Sequence, residues 1–398
     1  MNNDLQIYAR AGELDALGAI IPPGRAEHLA SVLSDNDVAT LRHMAEKGMG
    51  EHTLRALVSD LAYIEAWTAA STGSPLPWPA PVDLLLKFVA HHLWDPVEKE
   101  KDEDHGMPEE VRLELTAGGF LRSVGPHAPS TVRRRLASWS TLSQWRDVEG
   151  SFQSPALRKA LRLAVRAQGR PRTSKSAEAV TGEVLRAILA PLDEMVRHWV
   201  AKDDKEGHTL RLTAMRDRAI LSVAFASGGR RRSEIAGLYM SQVKMEQPIE
   251  DYRDDGAMVI IPSCTIRLGR TKTTSADEAV TVGVAGRAVT DLEDWLSAAG
   301  ISSGPVFRSI GRWGHVGEDA ISDKTVNNIL KRRVQQAGYN PTLFSAHGLR
   351  SGFMTEAMEQ GLSLSEAMAQ TTHRSVQQAS SYFDRAKSRT GRAARLLK

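Results

Sequence analysis

A basic stretch broken by proline, QGRPRTSKSAE at residues 168–178, divides the sequence into two parts with different hydrophobic periodicity. Its polar composition is typical of an interdomain linker. We therefore predict a helical domain over 34–168, a linker at 169–178 and a second domain over 179–398. In the first domain, apolar residues recur at three- and four-residue spacing, which predicts helices at 35–47, 51–71, 80–93, 130–146 and 154–168.

Two stretches of the first part lack this periodicity. Residues 1–33 contain Pro22, Pro23 and Gly24 and are predicted to form an irregular N-terminal arm. Residues 95–126 are charged and rich in glycine, which predicts an inserted surface loop with a short helix at 108–116.

The second part mixes helical and extended patterns. Alternating β-branched runs at 257–262, 264–269 and 279–284 predict a small antiparallel sheet. The fold class is therefore mainly α, with a helical first domain and a mixed, mostly α second domain. Helices are predicted at 181–200, 213–228, 230–239, 286–298, 322–337, 347–360, 364–370, 375–382 and 386–397.

Composition limits the partners and the compartment. The net charge of +3 is only mildly basic, but basic residues are concentrated in 158–175, in 385–398 and in two arginine triplets, while acidic residues cluster in 95–114. That segregation predicts a phosphate-binding surface. The single cysteine, Cys264, forms no intramolecular disulfide and is predicted to be a small apolar filler. Without an apolar run of membrane-spanning length or a signal peptide, we expect a cytosolic protein with no membrane partner.

The closing segment carries the residues with the clearest chemistry. Tyr382 lies nine residues after His373 and 32 after Arg350, and His347 and Arg350 share one helix face at a spacing of three. A phenol can attack a phosphodiester when cationic and donor groups surround the phosphorus. Each residue also has an ordinary structural interpretation, such as a solvated arginine or histidine or a tyrosine packed in a core.

Together with two upstream cations, these residues resemble the tyrosine recombinases, also called the phage integrase family. The family motif of arginine, any residue, a small residue and glutamate is similar to RRSE at 231–234, after two glycines, which places the first arginine at Arg231 with Glu234 in support. Arg230 stands where the family has an apolar residue, and Thr372 replaces the glycine before His373. The resemblance implies six catalytic residues: Arg231, Lys272, His347, Arg350, His373 and Tyr382.

The resemblance also implies a role for each of these residues. Tyr382 would attack the phosphate, and Arg231 and Arg350 would bracket its oxygens. His347 would accept the tyrosine proton and His373 would donate a hydrogen bond to the phosphate. The remaining residue, a lysine in GRTKT between two predicted strands, would protonate the departing 5′-oxygen. No cofactor and no metal is expected.

Within the family, the chain is most similar to the Cre-type recombinases through EHT at 51–53, LGRTKT at 268–273 and TGRAARLLK at 390–398. Those enzymes have tryptophan where His373 stands, and the 95–126 insert has no counterpart. The similarity implies a SAM-like core-binding domain and a catalytic domain that clamp DNA as a C shape. It also implies a homotetramer on two double-stranded DNA sites with inverted repeats; accessory proteins are left open. The candidate DNA contacts are Arg55, Thr131, Arg133, Arg134, Arg230, Arg232 and Arg270.

Two other functions remain open. A type IB topoisomerase uses the same groups but rejoins the same strand, and an architectural DNA-binding protein would bind without cleavage. A metal site built from His91, His92 and His105 is disfavoured, because adjacent histidines point to different sides of a helix. Ordinary surface histidines are the preferred interpretation there.

Overall fold

The computed structural model describes residues 51–121, 123, 125–167, 176–200, 205–252, 256–269, 280–373, 375–377 and 379–380. The chain falls into two compact units, Met1–Arg172 and Thr173–Lys398. The predicted arm at 1–33 and the predicted helices at 35–47 and 386–397 lie outside the described residues. The fold class is confirmed: the described residues are mostly helical, with a small antiparallel sheet.

The described part of the N-terminal unit is entirely helical and surrounds an aromatic core. Pro129 opens the fifth helix, where a proline costs nothing because the first helical N–H has no intrahelical partner. Trp67, Phe88 and Trp139 are fully buried at the centre. The helices are α1 (Glu51–Thr72), α2 (Val82–His92), α3 (Pro96–Lys101), α4 (Glu109–Ala117), α5 (Pro129–Trp145) and α6 (Pro155–Ala167).

The insert at 95–126 is more ordered than a surface loop. It contains α3 and α4, and α4 matches the predicted short helix. Val111 and Leu115 on α4 are buried in the aromatic core, and α4 packs against α1. The insert therefore contributes to the core of its unit.

The C-terminal unit is built around one long buried helix, α8. This helix packs against α7 and α10, and the site helix α12 also contacts it. The helices are α7 (Gly182–Val200), α8 (Lys205–Ala226), α9 (Arg232–Ala236), α10 (Arg287–Ala299), α11 (Asp323–Gln336), α12 (His347–Glu359) and α13 (Leu364–Thr371).

The main sheet has the strand order β1-β2-β3 and is antiparallel throughout, with β1 (Val243–Tyr252), β2 (Met258–Arg267) and β3 (Thr281–Ala285). Cys264 on β2 is 1% exposed, so it fills the core as predicted. A separate hairpin pairs β4 (Arg308–Ile310) with β5 (Val316–Ala320).

Several predicted boundaries are wrong. The two runs at 257–262 and 264–269 form one continuous strand, β2, and β1 and the β4–β5 hairpin were not predicted. Most of β1 is exposed, four of its ten residues are charged and it contains Pro248, so it lacks the apolar alternation that marks a strand. The helix predicted from 213 begins at Lys205, and the one predicted over 230–239 ends at Ala236, before Gly237.

Candidate active site

Two glycines after α8 bring three stretches of main chain into contact. Gly228 and Gly229 have φ of +94° and +66°, values that side chains rarely tolerate. A Cβ on Gly229 would lie 2.1 Å from the Cα of Arg350, and one on Gly228 would lie 2.4 Å from the carbonyl oxygen of Gln370. Only glycine permits this approach, which holds the turn against α12 and the end of α13.

The arginine that follows this turn is an internal clamp. Arg230 is 2% exposed, and its Nη2 donates to the carbonyl oxygen of Gln370 at 2.7 Å. Its Nη1 approaches Thr372 Oγ1 at 3.4 Å, and burial lowers its pKa. The predicted DNA contact at Arg230 therefore does not fit its placement, because the side chain is buried and donates to a carbonyl oxygen inside the protein.

Arg231 points to the opposite environment. Its side chain is 62% exposed and forms an ion pair through Nη1 with Glu234 Oε1 at 2.7 Å. Its backbone N–H donates to Glu234 Oε2 at 3.1 Å, which caps the start of α9. The supporting glutamate thus orients the arginine that the sequence motif selected. Arg232 lies next to it, 51% exposed, and forms an ion pair with Asp323 Oδ2 at 3.0 Å.

Helix α12 supplies the next pair. Gly348 and Gly352 face the segment 176–181, where a Cβ on Gly352 would lie 1.7 Å from the carbonyl oxygen of Val180. This tight packing fixes the helix, and His347 and Arg350 lie one turn apart on it. His347 is half-buried, and Arg350 is 6% exposed.

Arg350 and His373 are in direct contact. Arg350 Nε donates to His373 Nε2 at 3.0 Å, and Arg350 Nη2 donates to the carbonyl oxygen of Thr371 at 2.6 Å. The second ring nitrogen of His373, Nδ1, lies 2.7 Å from Thr371 Oγ1. The end of α13 therefore carries both the histidine and an anchor for the arginine.

The pKa of His373 is lowered by burial and by nearby positive charge. Burial is the main reason why its pKa is lowered from 6.5 to about 4, and positive charge is the second. That positive influence comes, in decreasing order, from Arg350, Arg230, Arg231 and His347. Four basic side chains, two from residues 230–231 and two from α12, thus act on one imidazole, an arrangement suited to an anion such as a phosphate.

Three predicted residues lie outside the described residues. Lys272 and Arg270 fall between Arg267, where β2 ends, and Thr281, where β3 begins. Tyr382 follows the last described residue, Ser380. Residues 376–377 and 379–380 are helical, within the predicted helix 375–382.

The candidate DNA contacts of the N-terminal unit lie near the start of α5. Thr131 is half-buried and Arg133 is exposed. Arg134 is 48% exposed and donates to the buried Asp60 through Nη1 at 2.5 Å. The side chain of Arg55, on α1, lies outside the description.

The interpretation of His91 and His92 as surface histidines is wrong. Both are buried, at 7% and 1% exposure. His91 Nδ1 accepts from Trp67 Nε1 at 3.3 Å, and His92 bonds to Tyr63 through Nε2 at 2.7 Å. Across the described ranges, no three histidine, cysteine or carboxylate side chains are grouped so that they could hold a metal ion.

Two residues that the sequence did not single out shape this site. Thr371 contacts the imidazole, and Gln370 donates from Nε2 to the carbonyl oxygens of Ala226 at 2.8 Å and Gly283 at 2.7 Å. A hydroxyl two residues before a candidate histidine is a weak signal, because threonine is common at helix ends. The glycine pair at 228–229 was the better signal that main chains meet here.

Comparison with known proteins agrees with this geometry. Residues 201–389 match the profile of the phage integrase family, so the C-terminal unit carries a phage integrase family domain. The sequence-based recognition of the family is therefore confirmed for the domain at 201–389, whereas the Cre-type similarity stays a prediction. A curated relative, the integrase/recombinase XerD homolog of Selenomonas ruminantium, is 30% identical over 175 residues, which are 44% of this chain and 48% of that protein. The chain thus spans about half the length of that relative.

Solved structures with similarity to this chain include two complexes with DNA. The XerH site-specific recombinase bound to palindromic difH substrate is 13% identical with a TM-score of 0.40, covering 81% of this chain and 98% of that one. The Tn1549 transposon integrase in complex with transposon right end DNA is 12% identical with a TM-score of 0.39, covering 83% and 99%. At TM-scores this low, the family assignment rests on the sequence matches.

Among the helices of the described ranges, none has both the length and the apolar character that crossing a bilayer requires.

Proposed function

We propose that this chain is a site-specific DNA recombinase that cleaves and rejoins DNA through a 3′-phosphotyrosyl intermediate. The observation that carries the proposal is the contact of Arg350 with His373, on the helix that also carries His347 and against the glycine turn that precedes Arg231. The phage integrase family domain, residues 201–389, also includes Lys272 and Tyr382. The six residues together supply each group that the reaction requires.

The two arginines suit the charge that develops on phosphorus. A phosphodiester carries one negative charge, which spreads over its non-bridging oxygens and grows in the pentacovalent transition state. Arg350 is fixed by His373 and by the carbonyl oxygen of Thr371, so its guanidinium is pre-oriented. Arg231 is 62% exposed, so it can reach an oxygen from the solvent side. Bracketing by both would stabilise the transition state more than the ground state.

Proton transfer is assigned to three further residues. Tyr382 attacks in line, and His347 accepts its proton because a neutral imidazole is a suitable base near neutral pH. Lys272 gives a proton to the departing 5′-oxygen. The phosphotyrosyl ester stores the bond energy, so rejoining needs neither a nucleotide nor a metal.

Strand exchange follows when the 5′-hydroxyl of a partner duplex attacks the phosphotyrosyl ester. The exchanged strands then join the two duplexes in a Holliday junction. This requires a homotetramer on two sites of double-stranded DNA with inverted repeats. The basic and apolar segment at 393–397 is proposed to pack on a neighbouring protomer and so to couple cleavage to assembly. Such an enzyme acts in the cytoplasm, at the nucleoid.

The decisive experiment traps the covalent intermediate. A nicked suicide substrate from DNA that flanks the gene is incubated with wild-type protein, and the attached residue is mapped by mass spectrometry. We expect an adduct on the peptide that contains Tyr382 and none with Tyr382→Phe. Tyr339→Phe, a matched change in the same unit, should form the adduct at the wild-type rate.

The trapping experiment, together with an assay on supercoiled DNA, separates the rival functions. DNA binding by wild-type protein without an adduct would contradict the proposal and favour an architectural protein. Relaxation of supercoiled DNA without a recombinant or Holliday-junction product would favour a type IB topoisomerase. An adduct on another residue would contradict the assignment of the nucleophile.

A further inference from the structure

The contacts of His373 identify which ring nitrogen carries the proton. Arg350 Nε lies 3.0 Å from His373 Nε2. A guanidinium has N–H donors and no acceptor, so Nε2 must present its lone pair. In the neutral ring, the proton is therefore on Nδ1.

The contacts of Thr371 lead independently to the same tautomer. Its Oγ1 lies 2.7 Å from the carbonyl oxygen of Ala367 and 2.7 Å from His373 Nδ1. A carbonyl oxygen only accepts, so the single hydroxyl hydrogen goes to Ala367. The oxygen lone pair of Thr371 then faces Nδ1 and accepts from its N–H.

The segment that carries these groups is held from both sides. Thr371 is fully buried as the last residue of α13. Arg230 donates to the carbonyl oxygen of Gln370, and the side chain of Gln370 reaches Gly283 on β3. Thr372 has a left-handed backbone, with φ of 55°, which turns the chain so that the ring of His373 returns towards Thr371. The hydrogen bond to Thr371 therefore lies within a fixed frame.

We propose that Thr371 is a positioning residue for His373: its hydroxyl accepts from Nδ1–H and thereby fixes the ring so that Nε2 faces Arg350 and the substrate phosphate. The orientation follows from the contacts alone, whereas its use at a phosphate rests on the proposed function. Thr371 acts through His373 and does not touch the substrate.

This orientation defines how His373 would contact a phosphate. Neutral Nε2 is an acceptor, so it must take up a proton before it can donate to a phosphate oxygen. The negative charge of a phosphate beside the ring raises the pKa of His373 and favours that uptake. The hydrogen bond to Thr371 survives the change, because Nδ1 carries a proton in both the neutral and the charged ring. The ring can thus change charge without changing orientation, while Arg350 Nε gives up its hydrogen bond to Nε2 and Arg350 Nη2 keeps its hydrogen bond to the carbonyl oxygen of Thr371.

Nuclear magnetic resonance of the full chain labelled with ¹⁵N-histidine tests the proposal without DNA. The His373 signals are assigned by their loss in His373→Gln. In wild-type protein we expect the ring proton on Nδ1, protected from exchange with water. Thr371→Ser keeps the hydroxyl and should keep the protected proton, whereas Thr371→Val should lose it.

Thr355→Val is the matched control. The hydroxyl of Thr355 also donates to a carbonyl oxygen four residues earlier, that of Ser351 at 2.9 Å, but on α12. This variant should leave the His373 signals unchanged. A ring proton on Nε2 in wild-type protein, or a protected Nδ1 proton that persists in Thr371→Val, would overturn the proposal. If Thr371→Val does not fold, Thr371→Ala takes its place, and a protected Nδ1 proton that persists in that variant would equally overturn the proposal.

The rate of adduct formation provides a second readout. Loss of one hydrogen bond predicts a roughly fivefold to tenfold slower adduct in Thr371→Val, with recovery in Thr371→Ser. A wild-type rate in Thr371→Val would refute the positioning role. If wild-type protein forms no adduct while the ring proton is on Nδ1, the recombinase proposal fails and the assignment of the tautomer stands.

Discussion

At the scale of single residues, the site depends on which side chains are absent as much as on which are present. Gly229 lies directly on the main chain of α12, and Arg230 occupies the interior next to it. Arg231 is the first residue of this run whose charge reaches solvent. The three successive arginines therefore have three different environments, which their sequence alone does not distinguish.

Replacing Gly229 with alanine should destabilise the C-terminal unit by about 2 kcal/mol or more. The variant adopts a φ of +66° with a Cβ and also meets the Cα of Arg350 at 2.1 Å, so α12 must move. Gly300→Ala is the control, since its φ is +64° but its Cβ would have no neighbour within 4 Å. That variant should lose only about 1 kcal/mol. Equal losses in urea unfolding would contradict the close approach.

At the scale of helices, charged side chains tie α8 to α11. Asp217 on α8 is fully buried and accepts from Arg333 Nη2 at 2.6 Å and from Arg332 Nη2 at 2.8 Å. Arg216 contributes a third guanidinium at 2.8 Å. A single carboxylate thus forms ion pairs with three arginines, which makes it the critical member of the group.

Asp217→Asn should lower the free energy of unfolding by roughly 3–5 kcal/mol, because the amide leaves buried arginines without a countercharge. The matched control is Asp294→Asn. Asp294 accepts from Arg218 Nη2 at 2.5 Å, but its side chain is 44% exposed, so water can replace the carboxylate. That change should cost at most about 1 kcal/mol. Chemical unfolding monitors both, and similar losses would show that the buried group is not critical.

Helices and strands differed in how well the sequence predicted them. Strong apolar periodicity located α2, α5, α10 and α11 to within a few residues. β1 was not predicted because it is held in the sheet by pairing with β2 and has no apolar face of its own. The β4–β5 hairpin was not predicted because its strands are too short to show a clear alternation. Strand pairing is a non-local property that local pattern cannot supply.

The candidate site was partly accessible from sequence for a related reason. Spacing along the chain found His347, Arg350 and His373, which the structure brings together. It assigned Arg230 to the wrong environment and passed over Thr371, since burial and hydrogen bonding depend on the fold. The roles of the six catalytic candidates stay predictions until the adduct is mapped.

At the scale of the whole chain, the N-terminal unit should be more sensitive to acid than the C-terminal unit, in which the pKa of His373 is also lowered. The N-terminal unit buries His91 and His92 and half-buries His127, and the pKa values of all three lie below 6.5 mainly because of burial. For His91 and His127 the value is about 4. His92 faces Tyr63, His91 and His127, and Arg135 donates to His127 Nδ1 at 2.9 Å, so the nearby charge also opposes protonation.

Acidification from pH 6.5 towards pH 4 should therefore destabilise the N-terminal unit. In this window the histidines of the unfolded chain take up protons that the folded unit does not bind. The free energy of unfolding therefore decreases as the pH is lowered, by up to about 1.4 kcal/mol per pH unit for each histidine. Hydrogen exchange at pH 7.5 and 5.5, corrected for intrinsic rates, should show lost protection in α1, α2 and α5. His127→Gln should reduce the loss, whereas His315→Gln, at an exposed position, should not. Equal behaviour of the two variants would contradict the prediction.

The contact of the 228–229 turn with α12 has a consequence for how this protein can diversify. Side chains change length when they mutate, but two backbones in van der Waals contact keep a constant separation. The distance between the guanidinium groups of Arg231 and Arg350 is therefore little affected by mutations elsewhere in the surrounding helices. Under the proposed function, the distance between the two guanidinium groups that bind one phosphate would therefore stay constant while the residues that contact DNA change.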